Sequence, residues 1–200
     1  MRYLLAPFVC FFSYVGGFQH VDKYDVTRIP FDLRPVSGLV GVWQLRAWRG
    51  SPPRVFLPPD IIDFGINPIP KFGSRALNIT MHYLDYADNN REYQTDYGFL
   101  PVNNATRFDP RWHTAMMTTS SAGYSVMEQG LIARGPQVRT HLKQFMKRSF
   151  TMNGGKDDLV VDALERLIRV VGPDHMEMTI QTMTNHGEDD YTAEYVRQKA

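Results

Sequence analysis

The chain has 200 residues, with 22 Lys and Arg against 21 Asp and Glu and a formal net charge of +1 at pH 7. This length fits one domain with a sizeable core, and the balanced charge gives no electrostatic basis for binding nucleic acid. The hydrophobic content of 43% excludes global disorder. The 12 Phe, 10 Tyr and 3 Trp favour strands and apolar pockets over a helical bundle.

Residues 1–19 differ from the rest of the chain. A basic start at Arg2 precedes an apolar, uncharged run that ends at Gly17. This pattern predicts a secretory signal peptide and a secreted, extracellular protein. The alternative is a buried N-terminal strand or helix in a cytoplasmic protein. The run is shorter than the roughly 20 apolar residues that span a membrane, so we expect no membrane span after cleavage.

Cysteine usage and glycosylation motifs are compatible with secretion. The single cysteine, Cys10, lies inside the predicted signal peptide, so the mature chain would contain no disulfide and no zinc–cysteine site. Two N-glycosylation motifs begin at Asn78 and Asn104. Asn104 lies in a polar loop and is the better acceptor, so we expect a glycoprotein modified there.

The remainder divides into a linker or strap, residues 20–34, and a strand-rich region from 35 to 198. Residues 76–86 alternate apolar and polar side chains, which is typical of a half-buried strand. The turn residues Asp88, Asn89 and Asn90 predict a hairpin. Short strands at close spacing, separated by polar turns, predict a single barrel or sandwich. The other predicted strands are 92–102, 114–119, 124–133, 176–183 and 191–197.

Two segments resist this all-β interpretation. Residues 138–150 and 159–171 both carry apolar residues at a helical spacing. The acidic pair Asp157 and Asp158 would cap the second segment as a helix. Both segments are therefore helices by local pattern alone, although strand pairing can override local preference.

Several short motifs together resemble the nitrobindin family, which includes the haem-binding β-barrel domain at the C-terminus of some THAP zinc-finger proteins. No THAP zinc finger is expected here, because the chain lacks its cysteines. The match covers about residues 35–198, and it turns both helix-like segments into strands. The similar segments are Leu39–Trp43 (L-x-G-x-W), Asp96–Leu100 (like E-x-G-F), Ser125–Ile132, Val161–Val170, Met176–Met183 and Tyr191–Arg197.

The resemblance implies an all-β fold, a single antiparallel up-and-down barrel of about 10 strands like those of lipocalins and fatty-acid-binding proteins. It also implies an apolar pocket for haem b, with ferric iron available for nitric oxide binding or peroxynitrite isomerisation. The oligomeric state stays open between monomer and homodimer. We expect these residues to shape the pocket and its entry: Gly41, Trp43, Asp96, Gly98, Phe99 and Arg166. Asp96 and Arg166 are a hypothetical ion pair.

The iron ligand of the family is not matched. The position that corresponds to its axial histidine in the last strand is Asp190, and aspartate is an uncommon haem ligand. His186 is the nearest candidate metal ligand, with a solvated loop histidine as the alternative. The other candidates are His82, His113 and the phenols of Tyr191 and Tyr195, since tyrosine ligates haem in some proteins.

Three functions therefore stay open. The first is a haem protein with nitrobindin-like chemistry and peroxynitrite isomerase activity. The second is a secreted barrel that has lost haem and carries an apolar small molecule, for which a barrel of this size has room. The third is an interaction module whose pocket is filled by its own side chains.

Overall fold

The computed structural model describes residues 22–51, 53–67, 75–133, 135–147 and 159–198. Ten antiparallel strands form one closed up-and-down barrel, in which each strand pairs with its neighbours in the sequence and β1 also pairs with β10. The predicted fold class is confirmed. The strands are β1 (Gly41–Gly50), β2 (Ile61–Ile66), β3 (Ala76–Asp85), β4 (Arg91–Asn103), β5 (Trp112–Ser120), β6 (Tyr124–Ala133), β7 (Gln137–Lys147), β8 (Val161–Gly172), β9 (His175–Thr184) and β10 (Gly187–Arg197).

The two segments with helical periodicity are strands. They form β7 and β8, which pair through residues 137–141 and 165–169. Their inward side chains, including Val138, Leu164 and Ile168, are buried in the barrel core. Pairing with neighbouring strands therefore outweighs the local helical pattern. Residues 148–158 and the predicted signal peptide, 1–19, lie outside the described residues.

The interior follows from the two-residue alternation of each strand. In β3 the predicted inward residues Leu77, Ile79, Met81 and Tyr83 are all buried. The hairpin after β3 is also as predicted, because Asn89 and Asn90 adopt positive φ angles.

One end of the barrel, which we call the strap end, is closed by the 3-10 helix Phe31–Leu39. This helix crosses the boundary predicted at residue 35 and buries Leu33, Val36 and Leu39 among core side chains. A shorter 3-10 helix, Val26–Arg28, precedes it. The strap is therefore packed on the barrel as part of its core.

The opposite end, which we call the lid end, is covered by residues 53–60 between β1 and β2. Val55 and Phe56 of this lid are buried in the same core cluster. In the described part of the chain, no helix is long and apolar enough to cross a membrane.

Gly98 permits the close approach of β4 to β5. A Cβ atom there would overlap the carbonyl oxygen of Met117 and lie 2.8 Å from Thr118 Cγ2. We expect Gly98→Ala to lower the free energy of unfolding by roughly 1–3 kcal/mol, because the backbone of β5 must move. The measurement is urea unfolding followed by circular dichroism.

Gly172→Ala is the matched control at the end of β8, because a Cβ there meets no atom within 4 Å. It should change the free energy of unfolding by less than about 0.5 kcal/mol. Equal effects of both substitutions would contradict the steric explanation.

Candidate functional site

A layer of polar side chains crosses the lumen below the lid. Its centre is the ion pair between Arg166 of β8 and Glu128 of β6, with 3.0 Å between Nη2 and Oε1. Arg166 Nε donates to both Glu128 oxygens at 3.2 Å. Thr140 of β7, the strand between them, donates its hydroxyl to Glu128 Oε2 at 2.6 Å. The pair thus joins three strands inside the barrel.

Strand register explains why these residues meet. Arg166 lies opposite Thr140, which in turn lies opposite Gly130. Glu128 is two residues from Gly130 and so shares its inward face. Burial alone would lower the pKa of Arg166, but the adjacent Glu128 carboxylate raises it above its ordinary value. Arg166 therefore stays charged in the core, with its charge directed at Glu128.

Asp96 belongs to a second network in the same layer, in which its hydrogen-bond donors are neutral. Its carboxylate accepts hydrogen bonds from the Tyr83 hydroxyl at 3.0 Å and from Gln94 Nε2 at 3.1 Å. Gln94 Nε2 also donates to the Tyr124 hydroxyl at 3.2 Å. The hypothetical ion pair between Asp96 and Arg166 does not form, because Arg166 pairs with Glu128 instead.

A small cavity lies between the lid and this layer. Its volume is about 10 Å³, which corresponds to roughly one water molecule. The lining is mostly aromatic and polar and includes both Asp96 and Arg166. The remaining lining residues are Phe56, Leu57, Met81, Tyr83, Thr118, Tyr124, Val126, Ile180 and Tyr191.

The lid is held by β10. The buried carboxylate of Asp189 accepts hydrogen bonds from the backbone N–H groups of Arg54 at 2.8 Å and Val55 at 3.1 Å. The Tyr191 hydroxyl donates to the carbonyl oxygen of Phe56 at 2.7 Å. These contacts press the Phe56 ring against Tyr124, with ring centroids 5.9 Å apart in an edge-to-face arrangement. The lid therefore forms the roof of the cavity.

Three of the predicted pocket residues lie away from this cavity. Trp43 is fully buried at the strap end, where its Nε1 donates to Leu39 O at 2.7 Å and the guanidinium of Arg197 lies 4.1 Å from its ring. Gly41, at the start of the same strand, has a φ of 135° and packs against Arg197. Phe99 is exposed on the outer face of β4.

The other three lie in or near the polar layer. Asp96 and Arg166 line the cavity, and Gly98 is the next inward position after Asp96 on β4. Sequence reasoning missed the lid residue Phe56 and its anchor, Asp189. The inward placement of Asp189 follows from that of Tyr191, two residues later on the same strand, so alternation could have found it.

Two of the candidate iron ligands, Asp190 of β10 and His186 of the turn before it, do not point into the lumen. Asp190 is exposed on the outer face, opposite Gln181 of β9. His186 is exposed in the turn between β9 and β10, where its backbone carbonyl accepts from Arg54. Neither side chain lines the cavity.

The other histidines are held on the outside. His82 Nδ1 lies 3.1 Å from Glu92, His113 Nε2 lies 2.8 Å from Asp109, and His141 and His175 are exposed. In the described ranges no histidine faces the lumen, and no group of three or more metal-ligating side chains is present.

The two candidate phenols are buried but unsuited to bind iron. Burial raises the pKa of both Tyr191 and Tyr195, which disfavours the phenolate that ligates haem iron. The Tyr195 hydroxyl has no hydrogen-bond partner within the described segments, but Tyr195 does not line the cavity. The described residues therefore do not fit haem.

Comparison with known proteins adds no relative to this description. No family model matches the chain, and a search of the curated proteins finds no match.

The buried ion pair makes a prediction about stability. Arg166→Met should lower the free energy of unfolding by about 3–5 kcal/mol, because it leaves Glu128 charged and unpaired in the core. The double variant Glu128→Leu/Arg166→Met should recover most of this loss. Urea unfolding of the wild type, of Glu128→Leu, of Arg166→Met and of the double variant measures the coupling energy between the two residues. Coupling of Arg166 to Asp96 stronger than to Glu128 would contradict this assignment.

The buried phenols predict a loss of stability at alkaline pH. Burial raises the pKa of Tyr83, Tyr124, Tyr191 and Tyr195 in the folded chain, whereas the unfolded value is about 10. The contribution of these protonated phenols to the free energy of unfolding is thus complete below a pH of about 10. It is lost as the pH rises through the pKa values of the folded chain.

Tyrosinate absorbance recorded together with circular dichroism tests this expectation. The four buried phenols should titrate only as the chain unfolds, whereas the urea-unfolded chain should titrate all its phenols together. Titration of all phenols near pH of about 10 in a chain that remains folded would contradict it.

Proposed function

We propose that this protein is a nitrobindin-like barrel that binds a small ligand in its lumen without a histidine-ligated iron. The observation that carries the proposal is the cavity beneath the lid, where Asp96 and Arg166 meet the rings of Tyr83, Tyr124 and Tyr191. Apolar walls with a few convergent polar groups are the usual composition of a ligand-binding pocket, although at about 10 Å³ this cavity must open to admit anything larger than water.

The family proposal rests on strand placement. The segments that resemble the family are arranged in order around a closed barrel, and one of them, Val161–Val170, has a helical pattern but pairs as a strand of that barrel. Haem, nitric oxide binding and peroxynitrite isomerisation are the activities that this resemblance implies. They need an iron ligand in the lumen, and the described residues supply neither an inward imidazole nor a favoured phenolate.

The second candidate function, transport of a larger apolar molecule, has less support. The strap half of the lumen is filled by buried side chains such as Trp43, Leu100, Met116 and Tyr195. A large apolar guest would have to displace several of them, at a cost in packing.

An extracellular location is also part of this proposal, and it rests on the sequence of residues 1–19. Glycosylation at Asn104 has a structural requirement. Its amide Nδ2, the atom that would carry the glycan, donates to Asp32 of the strap. A glycan replaces one of the two hydrogens on Nδ2, so after modification this hydrogen bond can be made only by the other hydrogen.

A haemin titration of the purified chain tests the absence of an iron site. We expect no saturable, red-shifted Soret band at one equivalent, because no described imidazole reaches the lumen. Asp190→His should leave this result unchanged, since residue 190 is exposed on the outer face.

A saturable band at one equivalent would contradict the proposal and support the haem protein that the resemblance implies. His186→Ala would then decide the ligand. Loss of the band would identify His186 as that ligand, and an unchanged band would exclude it.

A further inference from the structure

Aromatic rings form much of the wall of the cavity under the lid. Phe56 lies above it, and Tyr83, Tyr124 and Tyr191 surround it. Tyr124 contacts Phe56 on one side and Phe145 on the other, with ring centroids 5.9 and 5.7 Å apart. The faces of such rings carry negative potential and attract cations, most strongly in a site shielded from water.

The buried charges near the lid are predominantly negative. Among the described residues, four carboxylates are buried, those of Asp60, Asp96, Glu128 and Asp189, against the single guanidinium of Arg166. Glu128 is neutralised by Arg166. Asp60 and Asp189 are held by backbone N–H groups and, for Asp60, by a tyrosine hydroxyl, and they do not line the cavity.

Asp96 is different because it lines the cavity and has only neutral donors. Its hydrogen bonds come from Tyr83 and Gln94, and no salt bridge to it occurs within the described ranges. A buried carboxylate that has only neutral hydrogen-bond donors is stabilised by a cation within hydrogen-bond distance. An anionic guest would instead meet Asp96 and a guanidinium already neutralised by Glu128.

We propose that the lumen beneath the lid binds a small organic cation, with its ammonium group seated against Asp96 and the rings of Tyr83 and Tyr124. This inference rests on the proposed function and specifies its ligand class. The uncompensated carboxylate and the ring faces supply the attraction, and Phe56 excludes water from above.

The size of the cavity sets a condition for entry. At about 10 Å³ it holds no more than a water molecule or an ion of that size. A larger ammonium compound must therefore displace Phe56 and Leu57, the two lid residues that line the cavity. Leu57 is already 37% exposed, so the lid is the short route between the cavity and solvent.

Three probes of matched shape test the charge of the ligand. They are choline, its neutral isostere with a quaternary carbon in place of nitrogen, and tert-butylacetate. Isothermal titration calorimetry on the full chain measures their dissociation constants. We expect choline to bind one site per chain at least about 10-fold more tightly than the neutral isostere, and tert-butylacetate to give no binding.

Variants of the site locate the interaction. Asp96→Asn should weaken choline binding by about 10-fold or more, whereas Asp190→Asn, an exposed acid of β10, should leave it unchanged. Tyr124→Phe keeps the ring and should retain binding, whereas Tyr124→Leu should weaken it. Circular dichroism checks that each variant is folded, and the Tyr124 pair keeps the test decisive if Asp96→Asn does not fold.

The outcomes separate this inference from the proposed function. If the neutral isostere or tert-butylacetate binds as tightly as choline, the cation is the wrong ligand class but the lumen is still a binding site. Choline binding that Asp96→Asn and Tyr124→Leu leave unchanged also overturns the inference. If none of the probes binds the wild type or the opened variant Phe56→Ala, both the inference and the proposed function fail.

Discussion

Closure of the barrel is the constraint on which the rest of the structure depends. β1 pairs with β10 from Trp43 to Gly50 and with β2 from Gly41 to Gln44, so the ladder has no free edge. Every second residue of ten strands then points into one lumen. Because that lumen is largely filled by buried side chains, most inward polar side chains need a partner across it, and the Glu128–Arg166 pair is the largest such requirement.

The two halves of the lumen meet this constraint differently. The strap half is filled by large apolar side chains, with Trp43 hydrogen-bonded to the strap itself. The lid half contains the polar layer and is closed by a segment whose position depends on Asp189. Asp189 and Asp190 are adjacent acids on opposite faces of β10. Alternation along the strand buries the first and exposes the second. A shift of one residue in register would exchange these roles and release the lid.

Local patterns predicted the parts of the fold that depend on local chemistry. Alternation in β3 and the Asn89-Asn90 turn were sufficient to predict that hairpin. The inward side chains and the positive φ angles both depend on residues that are consecutive in the sequence. β7 and β8 needed the family resemblance, because their own spacing is helical. The partner of Arg166 was predicted wrongly as Asp96. Partner choice depends on diagonal contacts across three paired strands, and the register of those strands is not visible in any one segment.

The buried tyrosines connect the fold to the kind of recognition that the lumen supports. Burial raises the pKa of Tyr83, Tyr124 and Tyr191, so these phenols keep their protons and are poor metal ligands. A protonated phenol still donates one hydrogen bond, as Tyr83 does to Asp96 and Tyr191 does to Phe56. The rings of these tyrosines also line the cavity, where their faces would attract a cation. The burial that disfavours iron ligation therefore favours recognition by hydrogen bonds and ring faces in the same lumen.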